Sequence, residues 1–167
     1  MAYVSTPAGT IVRETNISTR RIPVYTATTI TKGEVCEVNA TGYLITSPTS
    51  QIADREHFVA LETIVNSGAS GVLDAPVAVS GHYVTVTADG DIRPGERVKV
   101  SGSTAGQVVS VQHGTDDIDL VVGVYFGKEG GTVSKSGSTP YLESFTDNAD
   151  FPAVAAADGN VIEILVK

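Results

Sequence analysis

Nucleophilic hydrolysis would need a Ser, Thr or Cys beside a His and a carboxylate. The histidines are His57, His82 and His113, far apart along the chain and in different strand contexts. Cys36 is the single cysteine, so no intrachain disulfide can form. It stands between Val35 and Glu37 in a strand-like run, with no neighbouring cation to lower its pKa. A small buried hydrophobe is its expected role. Gly102-Ser103-Thr104-Ala105-Gly106 puts Thr where a nucleophile elbow needs Ser, and it reads as a turn. Gly127-Lys128-Glu129 has Glu where a phosphate-cradling loop needs Ser or Thr. Thr115-Asp116-Asp117-Ile118-Asp119 and Asp89-Gly90-Asp91 cluster oxygen ligands without the spacing of a calcium loop, and read as solvated turn acids. With 19 acidic residues some carboxylate pair is inevitable, so a pair alone does not indicate a glycosidase. The expectation is no catalytic residue, no cofactor and no metal.

Those residues sit in a chain of 167, long enough for one domain with a full core. The sequence holds 24 Val, 19 Thr and 11 Ile against 6 Leu and no Trp. β-branched side chains fit a pleated surface and lose rotamer freedom in a helix, so an all-β fold is expected. The net charge of −8 disfavours a grip on nucleic acid phosphates. No uninterrupted apolar stretch approaches the length of a membrane span, and no membrane partner is expected. The N-terminus lacks a basic start followed by an apolar run, so no signal peptide is expected.

Residues 1–23 are poorly periodic, with Pro7, Gly9, Arg20-Arg21 and Pro23. They read as an extended N-terminal arm, with a short strand at most near Thr10–Arg13. A single β domain follows over residues 24–167. Strand-like runs are Val24–Ile30, Glu34–Val38, Gly42–Thr46, His82–Ala88, Arg97–Ser101, Gly106–Gln112, Asp119–Gly127 and Asn160–Val166. An Ala-rich patch at Ala149–Ala157 allows one or two helical turns around Pro152.

The most informative pattern is internal. Ile30-Thr31-Lys32-Gly33-Glu34-Val35-Cys36-Glu37-Val38 aligns with Ile92-Arg93-Pro94-Gly95-Glu96-Arg97-Val98-Lys99-Val100, at an offset of 62. Gly42–Ile45 then matches Gly106–Val109, and His57–Leu61 matches Leu120–Val124. The ordered series predicts two duplicated β units, residues 30–65 and 92–127, with Gly33 and Gly95 at equivalent structural turns. Asp54–Val65 also carries helical spacing at Phe58, Leu61, Ile64 and Val65, but its Val-rich partner reads as a buried strand. His57–Ile64 is therefore predicted to be a strand.

At Ile30–Val38, Phe58–Glu62, Ile92–Val100 and Val121–Val124 the sequence resembles the capsid cement, or head decoration, proteins of tailed viruses. The resemblance covers residues 24–127. It implies a β-barrel or β-tulip-like fold, homo-oligomers (usually trimers) on the outside of an icosahedral head, and no enzymatic activity. The implied partners are the major capsid protein and further copies of the chain, and the implied location is the virion after synthesis in the host cytoplasm. On that reading the arm attaches the protein. Its Arg13, Arg20 and Arg21 are the expected contacts with the capsid or a neighbouring copy, being basic in an acidic chain. The alternative reading is a tail-associated or cell-surface β module that binds carbohydrate or protein.

Overall fold

The computed structural model describes residues 8–9, 11–13, 19–50, 55–93, 95–112, 114–127, 159 and 161–167, with backbone alone at 11–13 and 126–127. The strands are short: β1 (Ile11–Arg13), β2 (Arg20–Pro23), β3 (Thr28–Ile30), β4 (Val35–Val38), β5 (Leu44–Thr46), β6 (His57–Ala60) and β7 (Ile64–Asn66). They continue as β8 (Asp74–Ala78), β9 (Tyr83–Thr87), β10 (Arg97–Val100), β11 (Val108–Ser110), β12 (Val121–Gly127) and β13 (Val161–Val166). One 3₁₀ turn, Ile118–Leu120, leads into β12. A five-stranded sheet runs β2-β8-β6-β4-β5, and a six-stranded sheet runs β1-β9-β13-β12-β10-β11. β3 and β7 form a separate pair. All ladders are antiparallel, so the fold is all-β.

The two large sheets repeat one another. β4 lies between β5 and β6 just as β10 lies between β11 and β12. The repeat extends past the sequence pattern. β8 follows β6 in the sheet as β13 follows β12, and β2 then matches β9. Pairings Ile22↔Ala75 and Arg20↔Val77 correspond to Val86↔Ile162 and Val84↔Ile164. Val24 touches Leu44 through an isolated parallel bridge, and Ala88 touches Val108 in the same way. Each sheet is thus rolled until the chain just after β2 meets β5, and the chain just after β9 meets β11, at one point. A single bridge is no ladder, so the architecture is the all-β, barrel-like domain expected from sequence, in an open, sandwich-like form that does not close fully.

The glycine turns are equivalent. Gly33 has φ +85° and Gly95 φ +88°. The Gly33 N–H donates to the Ala60 carbonyl at 2.8 Å, and the Gly95 N–H to the Tyr125 carbonyl at 2.7 Å. These bonds equate Ala60 with Tyr125. The ladders agree, pairing Val35 with Val59 and Arg97 with Val124. That register runs two residues later than the sequence alignment of Val59 with Val122. A shift of two keeps every side chain on its original face, so apolar patterning cannot detect it. The ladder also carries an irregularity between Val98 and Lys99, which absorbs an extra residue of β12.

The inward faces build two cores with a common wall. Ile22, Val24, Ile30, Cys36, Leu44, Phe58, Ala60, Ala75 and Val77 form one cluster. Their counterparts Val86, Ala88, Ile92, Val98, Val108, Tyr125, Ile162 and Ile164 belong to the other. One volume is exchanged: Phe58 and Ala60 in the first unit are the counterparts of Gly123 and Tyr125 in the second, so each core holds one aromatic ring, two residues apart in register. Val35, Val59 and Ala78, on strands of the first sheet, join the second cluster. The first sheet therefore buries apolar side chains on both of its faces, and the two units share one packed body.

One expectation is corrected, and two findings extend the sequence reading. His57–Ile64 is not one strand: β6 ends at Ala60 and β7 begins at Ile64 in a different sheet. Within residues 1–23, Arg20–Pro23 is laddered to β8 and Ile11–Arg13 to β9. β8 went unseen because it contains Pro76. That proline sits opposite Arg21, between the bonded pairs of the β2 ladder, and its carbonyl accepts the Leu61 N–H at 3.0 Å. The Ala149–Ala157 patch lies outside the described residues.

The glycines also differ in one respect. A Cβ on Gly33 would collide with the Ala8 Cβ and lie 2.7 Å from the Gly9 nitrogen, whereas a Cβ on Gly95 meets nothing within 4 Å. Gly95→Ala should therefore cost about 1 kcal/mol from backbone strain alone. Gly33→Ala should cost clearly more, and deleting residues 1–9 should bring the two costs together. Urea unfolding of the four variants measures this; equal costs in the full chain would show that residues 8–9 do not pack on the Gly33 turn.

Candidate binding surface

A cleft of about 710 Å³ opens between the two units. Matching elements line it from each side. The first unit gives His57 and Phe58 from β6, with Val79 and Ser80 after β8; the second gives Val121 and Val122 from β12, with Lys167 after β13. The Lys167 N–H donates to the Val122 carbonyl at 2.8 Å and holds this side of the second sheet in place. Arg20, Arg55, Glu56 and Asp119 complete the rim. Sequence reading singled out Arg20 here and took Asp119 for a solvated turn acid, but passed over Arg55, Glu56 and Lys167. The alignment of His57–Leu61 with Leu120–Val124 was the available signal, since it marked two strand starts that the fold sets against one cleft.

Behind the lining residues Arg55 and His57 lies a buried acid. Glu37, mid-strand on β4, is 1% exposed and ion-paired to Arg55. His57 Nε2 lies 3.9 Å from the second Glu37 oxygen, too far for a hydrogen bond. Burial, and then the charges of Arg55 and Lys167, hold the His57 imidazole below its usual pKa. It is therefore neutral at neutral pH. The equivalent of Glu37 in the second unit is Lys99, whose Nζ donates to Asp116 at 2.7 Å. Each unit thus ties its central strand to the loop before its third strand by an ion pair, with the sign reversed. The Lys99 hydrogen bond, with the Gln112 N–H, holds the Asp116 carboxyl below its ordinary range.

The remaining chemistry-bearing side chains serve local structure. Cys36 is fully buried, and burial, then the charge of Glu34, pushes its thiol far above its ordinary range. His82 is buried, with Nδ1 2.9 Å from the Val79 carbonyl. Asp89 accepts the Ser101 hydroxyl, and Asp117 caps the 3₁₀ turn through the Asp119 N–H. Among the described residues no cluster of His, Cys, Asp and Glu could hold a metal ion. His113 lies outside the described residues.

The three arginines do not form one patch on one strand. Arg13 ends β1 opposite Tyr83 in the six-stranded sheet. Arg20 and Arg21 open β2 in the five-stranded sheet, both exposed. The Arg21 guanidinium reaches the Asp74 carbonyl at 3.4 Å.

These features define a class by fold: an internally duplicated all-β module of two rolled antiparallel sheets with adjoining cores. A solved structure of similar fold is the N base of the head fibre gp8.5 of bacteriophage phi29. The two match over 90% of this chain and 95% of that one, with a TM-score of 0.50 and 12% identity. No protein-family model and no curated protein sequence matches the chain.

Two outcomes follow from the buried Glu37–Arg55 pair and the imidazole beside it. Arg55→Ala leaves Glu37 buried without its partner and should cost about 3 kcal/mol. Replacing both by leucine should recover most of that loss, as read by denaturant midpoints. Because the folded pKa of His57 lies below its unfolded value of 6.5, the unfolded chain takes up the proton first. Stability should be full above about pH 6.5 and decline as pH falls below it. His57→Gln should flatten that part of the thermal-midpoint profile; an unchanged slope would assign it to other groups.

Proposed function

We propose that the chain is a structural protein of a bacteriophage head, a decoration protein that binds the outside of the assembled capsid and stabilises it. The observation that carries this reading is the fold likeness to a head-fibre base over nearly the whole of both chains. The resemblance of the repeated Gly–Glu strand motifs to cement proteins supports the same assignment independently. Glu37, Lys99, Asp89 and His82 are engaged in ion pairs and turns, which is compatible with a structural role. The partners are then the major capsid protein and further copies of the chain, most simply as a homotrimer, and the location is the virion surface.

Such a protein stabilises by mass action, because it binds the lattice and not its separated subunits. Weak contacts repeated by symmetry give avidity. The cleft rim and the exposed arginines of β2 are the surfaces suited to contact, since a basic end on an acidic body orients docking.

Gold-labelled antibody against the chain should decorate heads of the particles that carry it, and heads stripped of it should lose heat resistance. Label on tails or on the cell envelope would instead favour the carbohydrate- or protein-binding alternative. Arg20→Ala with Arg21→Ala should weaken head binding more at low salt than at high salt, measured by co-sedimentation.

A further inference from the structure

The internal duplication leaves one place filled in one unit and open in the other. β9 carries β1 along the N-terminal half of its outer edge, with Ile11 opposite Val84 and Arg13 opposite Tyr83. The Gly9 N–H donates to the Thr85 carbonyl on that edge at 2.6 Å. The counterpart of β9 is β2, and the counterpart of Thr85 is Arg21. Among the described residues no strand lies on the outer edge of β2.

The direction of the backbone groups follows from the ladder. The Val24 N–H donates to the Leu73 carbonyl at 2.8 Å, and Pro76, which has no N–H, is opposite Arg21. The bonded pairs with β8 are therefore Arg20 with Val77 and Ile22 with Ala75, because antiparallel pairs alternate. The N–H and C=O of Arg21 point away from the sheet. Beyond Pro23 the edge turns onto β5, where the Tyr25 N–H meets the Leu44 carbonyl at 3.1 Å. The open stretch is thus residues 19–21, all exposed, whereas Thr85 is 3% exposed.

We propose that this edge accepts an extended acidic segment of another protein, which adds a strand beside β2 as β1 does beside β9. Charge selects the occupant. Arg20 and Arg21 flank the open groups in a chain of net charge −8. The corresponding positions on the filled edge are the uncharged Val84 and Thr85. Opposite charges on adjacent strands are favourable and like charges are not, so the β1 of a second copy, which ends in Arg13, is the poorer fit. Main-chain bonds would supply affinity and the arginines specificity. This holds whether or not the chain resides on a viral head.

Amide hydrogen exchange on the full chain, read by NMR, tests it. In the protein alone the Arg21 N–H should exchange fast while Ile22 is protected. A short synthetic peptide alternating Val and Thr with Asp and Glu should slow Arg21 exchange by at least about tenfold and shift signals at residues 19–23. The same peptide with Lys for its acids should not. Arg20→Glu with Arg21→Glu should reverse that preference while leaving the thermal midpoint near wild type. Slow Arg21 exchange in the protein alone would mean that its own chain covers the edge, and would overturn the proposal. So would protection that grows with protein concentration, or an acidic peptide that leaves Arg21 unchanged.

Discussion

In each half of the molecule one carboxylate gathers the strands. The Glu34 side chain accepts the Thr31 N–H at 2.9 Å and the Thr46 hydroxyl at 3.1 Å. Glu96 accepts the Arg93 N–H at 2.9 Å and the Ser110 hydroxyl at 2.7 Å. The glycine just before each Glu turns the chain at positive φ and donates to the third strand. A Gly–Glu dipeptide therefore joins the turn, the hairpin strand and the returning strand at one point. Hydrogen bonds to a charged acceptor are stronger than neutral ones, which suits a junction that bears three strands. The hairpin strand held at each junction, β5 or β11, is also the one that Val24 or Ala88 bridges when the sheet rolls.

On this common frame the two units have diverged where function can act. Their cores exchange aromatic volume between Phe58–Ala60 and Gly123–Tyr125, which keeps each packed without altering strand order. Their central ion pairs exchange sign between Glu37–Arg55 and Lys99–Asp116. The change places a neutral imidazole in the cleft lining of the first unit, with a buried acid behind it. The edges diverged furthest: in the second unit β1 covers it, and in the first it presents two arginines. A duplicated module with one sealed side and one charged side has a built-in polarity, which suits a protein that must seat in one orientation.

Much of this frame was legible in the residues. The abundance of Val, Thr and Ile determined an all-β chain, because branched side chains favour the pleat. The recurrence of Ile-x-x-Gly-Glu determined a duplication and two equivalent turns, since positive φ at a fixed place requires glycine. Tertiary structure decided what local pattern cannot encode. The register of β12 against β10 rests on a bulge, and a slip of two residues leaves the apolar faces unchanged. β2 and β8 were hidden because Arg20-Arg21 and Pro76 look unlike strand residues until a partner is supplied. The pairing of Glu37 with Arg55 and the cleft between units arise from segments brought together only when the sheets roll, so distances in space, and not spacing in sequence, determined the site.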